Sequence, residues 1–102
     1  MTRVTVYTKN NCPACEMTKM VLKNEGVEFK TINIEEVNEI EVEINGQIVK
    51  KNPIEYIKED LGFSATPVVV ADGHEPFGGF QPEKLKGLKW YVGSLYIFNW
   101  KY

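Results

Sequence analysis

The sequence is short of most features that mark secreted, membrane-spanning or nucleic-acid-binding proteins. Its 102 residues hold only two cysteines, Cys12 and Cys15, too few and too close together to staple a small disulfide-rich fold. Histidine occurs once, at His74, so one chain cannot assemble a four-ligand zinc site from Cys and His alone. Neither sign of charge dominates: 12 basic against 14 acidic side chains leave a net charge of −2, without the basic footprint that drives nucleic-acid binding. No apolar run approaches the roughly 20 residues that a bilayer-spanning helix needs. The first residues enter a strand pattern at Arg3 to Thr8 instead of a signal-peptide apolar core. These absences lead to the expectation of a soluble, cytoplasmic monomer that binds neither nucleic acid nor membrane.

What is present suffices for one modest core. Hydrophobic residues make up 43% and aromatics 12%, which excludes a disordered chain, and the length favours one domain over residues 1–102. Val4 and Val6 alternate with Arg3, Thr5 and Tyr7 at the period of a strand. After the polar loop Lys9-Asn10-Asn11, Pro13 to Glu25 sets Ala14, Met17, Val21 and Leu22 at helical spacing, with Pro13 suited to the first turn and Gly26 to the stop. Val27 to Ile34 reads as a second strand, and the strand-helix-strand order predicts a parallel βαβ unit.

Further along, Ile40, Val42 and Ile44 alternate with glutamates, Asn45-Gly46 favours a two-residue turn, and Gln47 to Lys51 returns. This predicts an exposed hairpin over about 39–51, an insertion spanning about 37–52. Asn52 is placed to cap a short helix that begins at Pro53 and buries Ile54, Ile57 and Leu61, with Gly62 as its end. Thr66-Pro67 precedes the strand Val68 to Ala71, Asp72-Gly73 marks a turn, and a strand around Glu75 to Phe77 completes an antiparallel pair. A third helix runs from Pro82 to about Lys89. In the extension over about 90–102, Tyr96, Phe98, Trp100 and Tyr102 fall at a spacing of two, which predicts a terminal strand whose aromatic face pairs with the hairpin or a sheet edge, or else serves as a partner or dimer surface. The fold class is therefore α/β.

Cys12-Pro13-Ala14-Cys15 joins a loop to a helix. That junction sets Cys12 against unpaired backbone amides and the positive end of the helix dipole, which stabilise a thiolate. The dipole contributes of order 1 kcal/mol, about one pKa unit, so a strongly acidic thiol needs further donors. Lys9, three residues earlier, is one candidate, and an ordinary solvated loop lysine is its other reading. Cys15 lies one helical turn on and can attack a mixed disulfide formed at Cys12. The rival readings are a structural pair, or an iron–sulfur or metal-binding module that bridges two chains or recruits an external thiol. His74, after Asp72-Gly73, reads as a turn residue.

In combination, Tyr7-Thr8-Lys9-Asn10-Asn11-Cys12-Pro13-Ala14-Cys15, Thr66-Pro67-Val68-Val69-Val70 and Phe77-Gly78-Gly79-Phe80 resemble the glutaredoxins of the thioredoxin superfamily. Gly62-Phe63 and Gly79-Phe80-Gln81-Pro82 point toward the NrdH-redoxin branch. The resemblance covers about residues 3–36 and 53–89 and implies a thioredoxin-like fold, a central mixed four-stranded sheet flanked by helices. It implies a thiol-disulfide oxidoreductase without a bound cofactor, acting on protein disulfides, with ribonucleotide reductase as the branch's substrate. The electron source is either thioredoxin reductase with NADPH or glutathione, the latter making the protein a glutathione-dependent glutaredoxin. The resemblance further implies a cis peptide before Pro67 and substrate contacts from Lys9, Pro13, Thr66, Pro67, Gly78 and Gly79. Gln81-Pro82-Glu83 stands where glutathione-using members carry an acidic pair.

Overall fold

The computed structural model describes residues 4–88. Arg3, the terminal strand expected over the aromatic tail and its pairing lie outside them. The first strand, β1 (Val4–Thr8), is followed by α1 (Pro13–Asn24) and β2 (Lys30–Asn33). The chain then forms the hairpin β3 (Ile40–Ile44) and β4 (Gln47–Lys51). Next, α2 begins α-helical at Pro53–Glu55 and continues π-helical over Tyr56–Asp60. The strands β5 (Val68–Ala71) and β6 (Phe77–Gly78) follow, and residues 82–88 are helical, here α3.

Four strands form one mixed sheet in the order β2-β1-β5-β6, with β1 parallel to β2 and the other pairs antiparallel. Both faces are covered, as the alternation of side chains requires. Val4 and Val6 of β1, with Val69 and Ala71 of β5, pack against Leu22 of α1 and Leu85 and Leu88 of α3. The opposite face carries Tyr7 and Val68, which pack with Ile57 of α2. The expected mixed sheet between helices is thus present, and both faces of its central strands carry buried side chains.

Local chemistry sets the ends of the elements. Asn52 accepts hydrogen bonds from the Ile54 and Glu55 amides at 2.9 and 3.3 Å, so the cap holds where α2 was expected to begin. At the other end of α1, Gly26 takes φ +74°, its amide bonds Lys23 O at 3.1 Å and the Val27 amide bonds Leu22 O at 3.0 Å. These two bonds make a Schellman cap, which only a residue tolerant of positive φ allows at low cost. Asn45 and Gly46 at φ +52° and +80° give the hairpin its expected turn.

Several boundaries differ from expectation. Met17 is 47% exposed because the buried face of α1 runs through Cys15, Thr18 and Leu22, turning Met17 outward. Ile54, expected in the buried stripe of α2, is 46% exposed. The inward positions there are Pro53 and Ile57, four apart. The second strand pairs only over Lys30–Asn33, the end that lies beside β1, and the last strand is Phe77–Gly78, the stretch in register with Val69 and Val68. The π-helical part of α2, closed by a Leu61 amide to Tyr56 O bond at 3.1 Å, has no signature in the hydrophobic period.

The hairpin forms a two-stranded sheet of its own. Val42 sits opposite Val49, while Glu41 faces Lys50 on the other side, so its two faces differ in polarity. Ile40 packs into the core below α2, and Lys51 bonds Asp60 at 2.6 Å. Asn52 Nδ2 donates to Asn38 O at 3.3 Å across the hairpin base. These contacts tie the hairpin to α2.

Tyr7 lies under α2 with its ring centroid 6.0 Å from that of Tyr56. Burial, reinforced by the Tyr56 hydroxyl, pushes the Tyr7 phenol up from the usual 10.0 to about 12. A raised folded-state value means that stability from neutral Tyr7 is complete below pH 10 and is lost as pH rises through about 12. Thermal melts across this alkaline range should therefore show a falling midpoint, and Tyr7→Phe should reduce the slope. An unchanged slope in the variant would show that Tyr7 does not titrate with unfolding.

Candidate functional site

Cys12 and Cys15 are joined in a disulfide, with Cα atoms 5.2 Å apart. Cys12 is the N-cap of α1, held in extended conformation, and its Sγ takes the place of the usual capping oxygen: the Cys15 amide donates to it at 3.2 Å. A sulfur at this position is surrounded by the unsatisfied amides and positive end of a helix, the setting that stabilises a thiolate. The two sulfurs are not equivalent. Cys12 retains 8% exposure, whereas Cys15 is fully buried on the inner face of α1. Only the former is open to an incoming disulfide.

The loop before Cys12 is fixed from the side. The Asn10 amide donates to Glu35 Oε1 at 2.8 Å, and Asn33 Nδ2 donates to Asn10 Oδ1 at 3.0 Å. The Ile34 amide extends the β1–β2 pairing by donating to Thr8 O at 2.8 Å. Asn11 adopts φ +55°, one of the few conformations that an asparagine tolerates better than most residues, and it turns the chain into α1. Sequence reasoning found this loop but not its partners, because Asn33 and Glu35 lie over twenty residues away and leave no local signal.

From the opposite side comes Thr66. Its hydroxyl lies 3.6 Å from Cys12 Sγ, and the Thr66–Pro67 peptide is cis, as the resemblance implies. Among the described residues, neither the amide nor the carbonyl of Thr66 is hydrogen-bonded. The hydroxyl contact with Cys12 Sγ is additional to the substrate contact that the resemblance implies for Thr66.

The other expected contact residues fall into two groups. Lys9 and Thr66 line a groove of about 240 Å³ together with Ile54, Lys58 and Phe63. Gly78 and Gly79 instead line a second groove of about 340 Å³ with Phe77, Gln81 and Lys84. Phe63, Ser64 and Ala65 line both and form the wall between them. Phe63 presses on Gly78 so closely that a Cβ there would stand 2.9 Å from its ring. The glycine pair is also engaged internally: the Gly79 amide bonds Pro67 O at 2.9 Å, and Gln81 Nε2 donates to Gly78 O at 2.6 Å. Pro13 is exposed at the first turn of α1, next to Cys12. His74 donates its amide to Ala71 O at 3.1 Å, a turn role as expected. No three His, Cys, Asp or Glu side chains converge among the described residues.

A mixed sheet between helices, with a two-cysteine turn at the first helix and a cis-proline loop facing it, defines a thioredoxin-fold dithiol oxidoreductase. Comparison with known proteins narrows this: the glutaredoxin family model matches residues 4–75, and the chain belongs to the glutaredoxin family. The glutaredoxin-like protein NrdH of Escherichia coli K12 is 33% identical over 86 residues, covering 84% of this chain and 88% of that protein. Its Lactococcus lactis MG1363 counterpart is 38% identical over 85 residues, covering 83% and 97%. The solved Escherichia coli NrdH-redoxin superposes with a TM-score of 0.64 at 29% identity, covering 84% of this chain and 93% of that one. A glutaredoxin from Archaeoglobus fulgidus gives 0.62 at 35%, covering 86% of each.

Removing the Thr66 hydroxyl should weaken stabilisation of a Cys12 thiolate by about one hydrogen bond. Thr66→Val preserves shape, so reduction of a small disulfide should slow roughly fivefold, the equivalent of ~1 kcal/mol. An unchanged rate constant would show the contact to be idle.

Proposed function

We propose that this protein reduces protein disulfides in the cytoplasm, ribonucleotide reductase among them, and is itself re-reduced by thioredoxin reductase with NADPH. In the reduced form, the Cys12 thiolate attacks one sulfur of the substrate disulfide. A Cys12–substrate disulfide forms as the other substrate sulfur leaves as a thiolate and takes a proton. Cys15 then attacks Cys12 Sγ, expels the second substrate thiol and leaves the Cys12–Cys15 disulfide. Two electrons and two protons have passed to the substrate. The exposure difference between the two sulfurs supports this order, and the hydrogen-bond groups of Thr66 offer an extended substrate segment a place to pair.

The choice of electron donor rests on the glycine pair ahead of α3, which is already engaged within the protein. Gln81 is committed to Gly78 O, and Phe63 covers Gly78. The residues that the resemblance assigns to substrate contact lie in two adjoining grooves, Lys9 and Thr66 in one and Gly78 and Gly79 in the other. The solved Escherichia coli relative is described as a glutaredoxin-like protein with a thioredoxin-like activity profile, which agrees with a reductase as donor.

NADPH oxidation coupled to a protein disulfide tests the reading. Turnover is expected with thioredoxin reductase and little with glutathione plus glutathione reductase. Efficient turnover with glutathione alone would overturn the donor assignment and make the protein a glutathione-dependent glutaredoxin.

A further inference from the structure

The groove beside Cys12 has a chemical character that the exchange reaction by itself does not require. Its lining includes two lysines, Lys9 and Lys58, and no acidic residue, although the chain as a whole carries a net charge of −2. Ile54 and Phe63 line the same groove. Ile54 and Lys58 are four residues apart on α2, on the same side of the helix, and the capping of α2 by Asn52 fixes where that side points. Ile54 is one of the few large apolar residues left exposed, at 46%, and no core contact accounts for its type. At its inner end the groove meets Thr66, whose hydroxyl touches Cys12 Sγ and whose backbone is unpaired among the described residues.

From this juxtaposition we propose that the Lys9–Ile54–Lys58 groove reads the sequence flanking the substrate's cysteine, selecting an extended peptide segment with an acidic side chain next to an apolar one. The occupant is a segment of a disulfide-bearing protein. It pairs with the Thr66 backbone, presents its sulfur to Cys12 and lays the adjacent side chains into the groove. At about 240 Å³ the space is smaller than the ~300–1,000 Å³ usual for a whole small-molecule ligand and suits one or two side chains. The apolar residue covers Ile54 and Phe63 while the carboxylate stays near the half-solvated rim with the lysines. Such rim charges act mainly on encounter and choice of partner, so the preference is sensitive to salt. The inference deepens the dithiol reading above and stands on it, but it does not depend on which reductant resets the disulfide.

Single-turnover reduction by the pre-reduced protein tests it without any electron donor. Two disulfide-looped peptides serve as probes, identical except for Asp-Leu or Lys-Leu beside one cysteine. The second-order rate constant should favour the Asp peptide by roughly fivefold at low salt and by less at high salt. Lys58→Gln, an exposed surface change, should lower that ratio, Lys58→Glu should bring it near one, and Ile54→Ser should slow both peptides. Equal rates for the two peptides with the unmodified protein, or a ratio indifferent to Lys58→Glu, would overturn the inference. Reduction of neither peptide would instead strike the dithiol reading itself, and the inference with it.

Discussion

The contact between the Cys15 amide and Cys12 Sγ at the start of α1 is the interaction to which the rest of the structure answers. Helix starts leave amides without partners, and most proteins satisfy one of them with a Ser, Thr, Asp or Asn oxygen. Here a sulfur does so. The same geometry that completes the helix therefore gives that sulfur a donor and the positive end of a dipole, so local stability and reactivity have one cause. Pro13, with no amide of its own to satisfy, fits the first turn without competing for the sulfur.

Holding this cap in place takes elements from across the fold. The sheet supplies β1 as a rigid lead into the loop, and Asn10, Asn33 and Glu35 lock the loop against β2. Pro67 and Thr66, at the entrance to the buried strand β5, close the site from the other side. Because Val68 pairs with Tyr7 in the centre of the sheet, the cis-proline loop and the cysteine turn are carried by adjacent strands. Their spacing then follows from strand pairing instead of from flexible side chains. The hairpin lies beside this frame, and α2 packs on its Tyr7–Val68 face through Ile57. They are joined to each other by Lys51 and Asp60, and α2 supplies one wall of the groove through Ile54 and Lys58.

The parts legible in the sequence were those with local causes. The Asn45-Gly46 turn, the Asn52 cap, the Gly26 stop and the β1 strand each rest on the chemistry of a few neighbouring residues, and each is found in place, although β1 buries both faces where its alternation predicts one. Cys12 and Cys15 were legible for the same reason, because three residues of spacing at a helix start fix their relation. The inward face of α1 was misjudged at Met17 because Cys15 and Thr18, not obviously apolar, occupy the buried positions; Thr18 does so by donating its hydroxyl to Ala14 O at 2.8 Å. The π-helical turn, the Phe63 wall and the Glu35 brace depend on contacts between distant segments and had no pattern to read. The division of Lys9 and Thr66 from Gly78 and Gly79 is of that kind too. It was invisible while both were known only as motif positions.

The central claim is that α1 makes Cys12 the attacking sulfur and leaves Cys15 to resolve. The most direct measurement compares Cys15→Ser with Cys12→Ser after each reduced variant is mixed with a disulfide substrate, with trapped adducts identified by mass spectrometry. The account predicts a stable mixed disulfide through Cys12 in Cys15→Ser and almost none in Cys12→Ser, where the remaining thiol is buried. Equal trapping by the two variants, or an adduct formed only through Cys15, would contradict it.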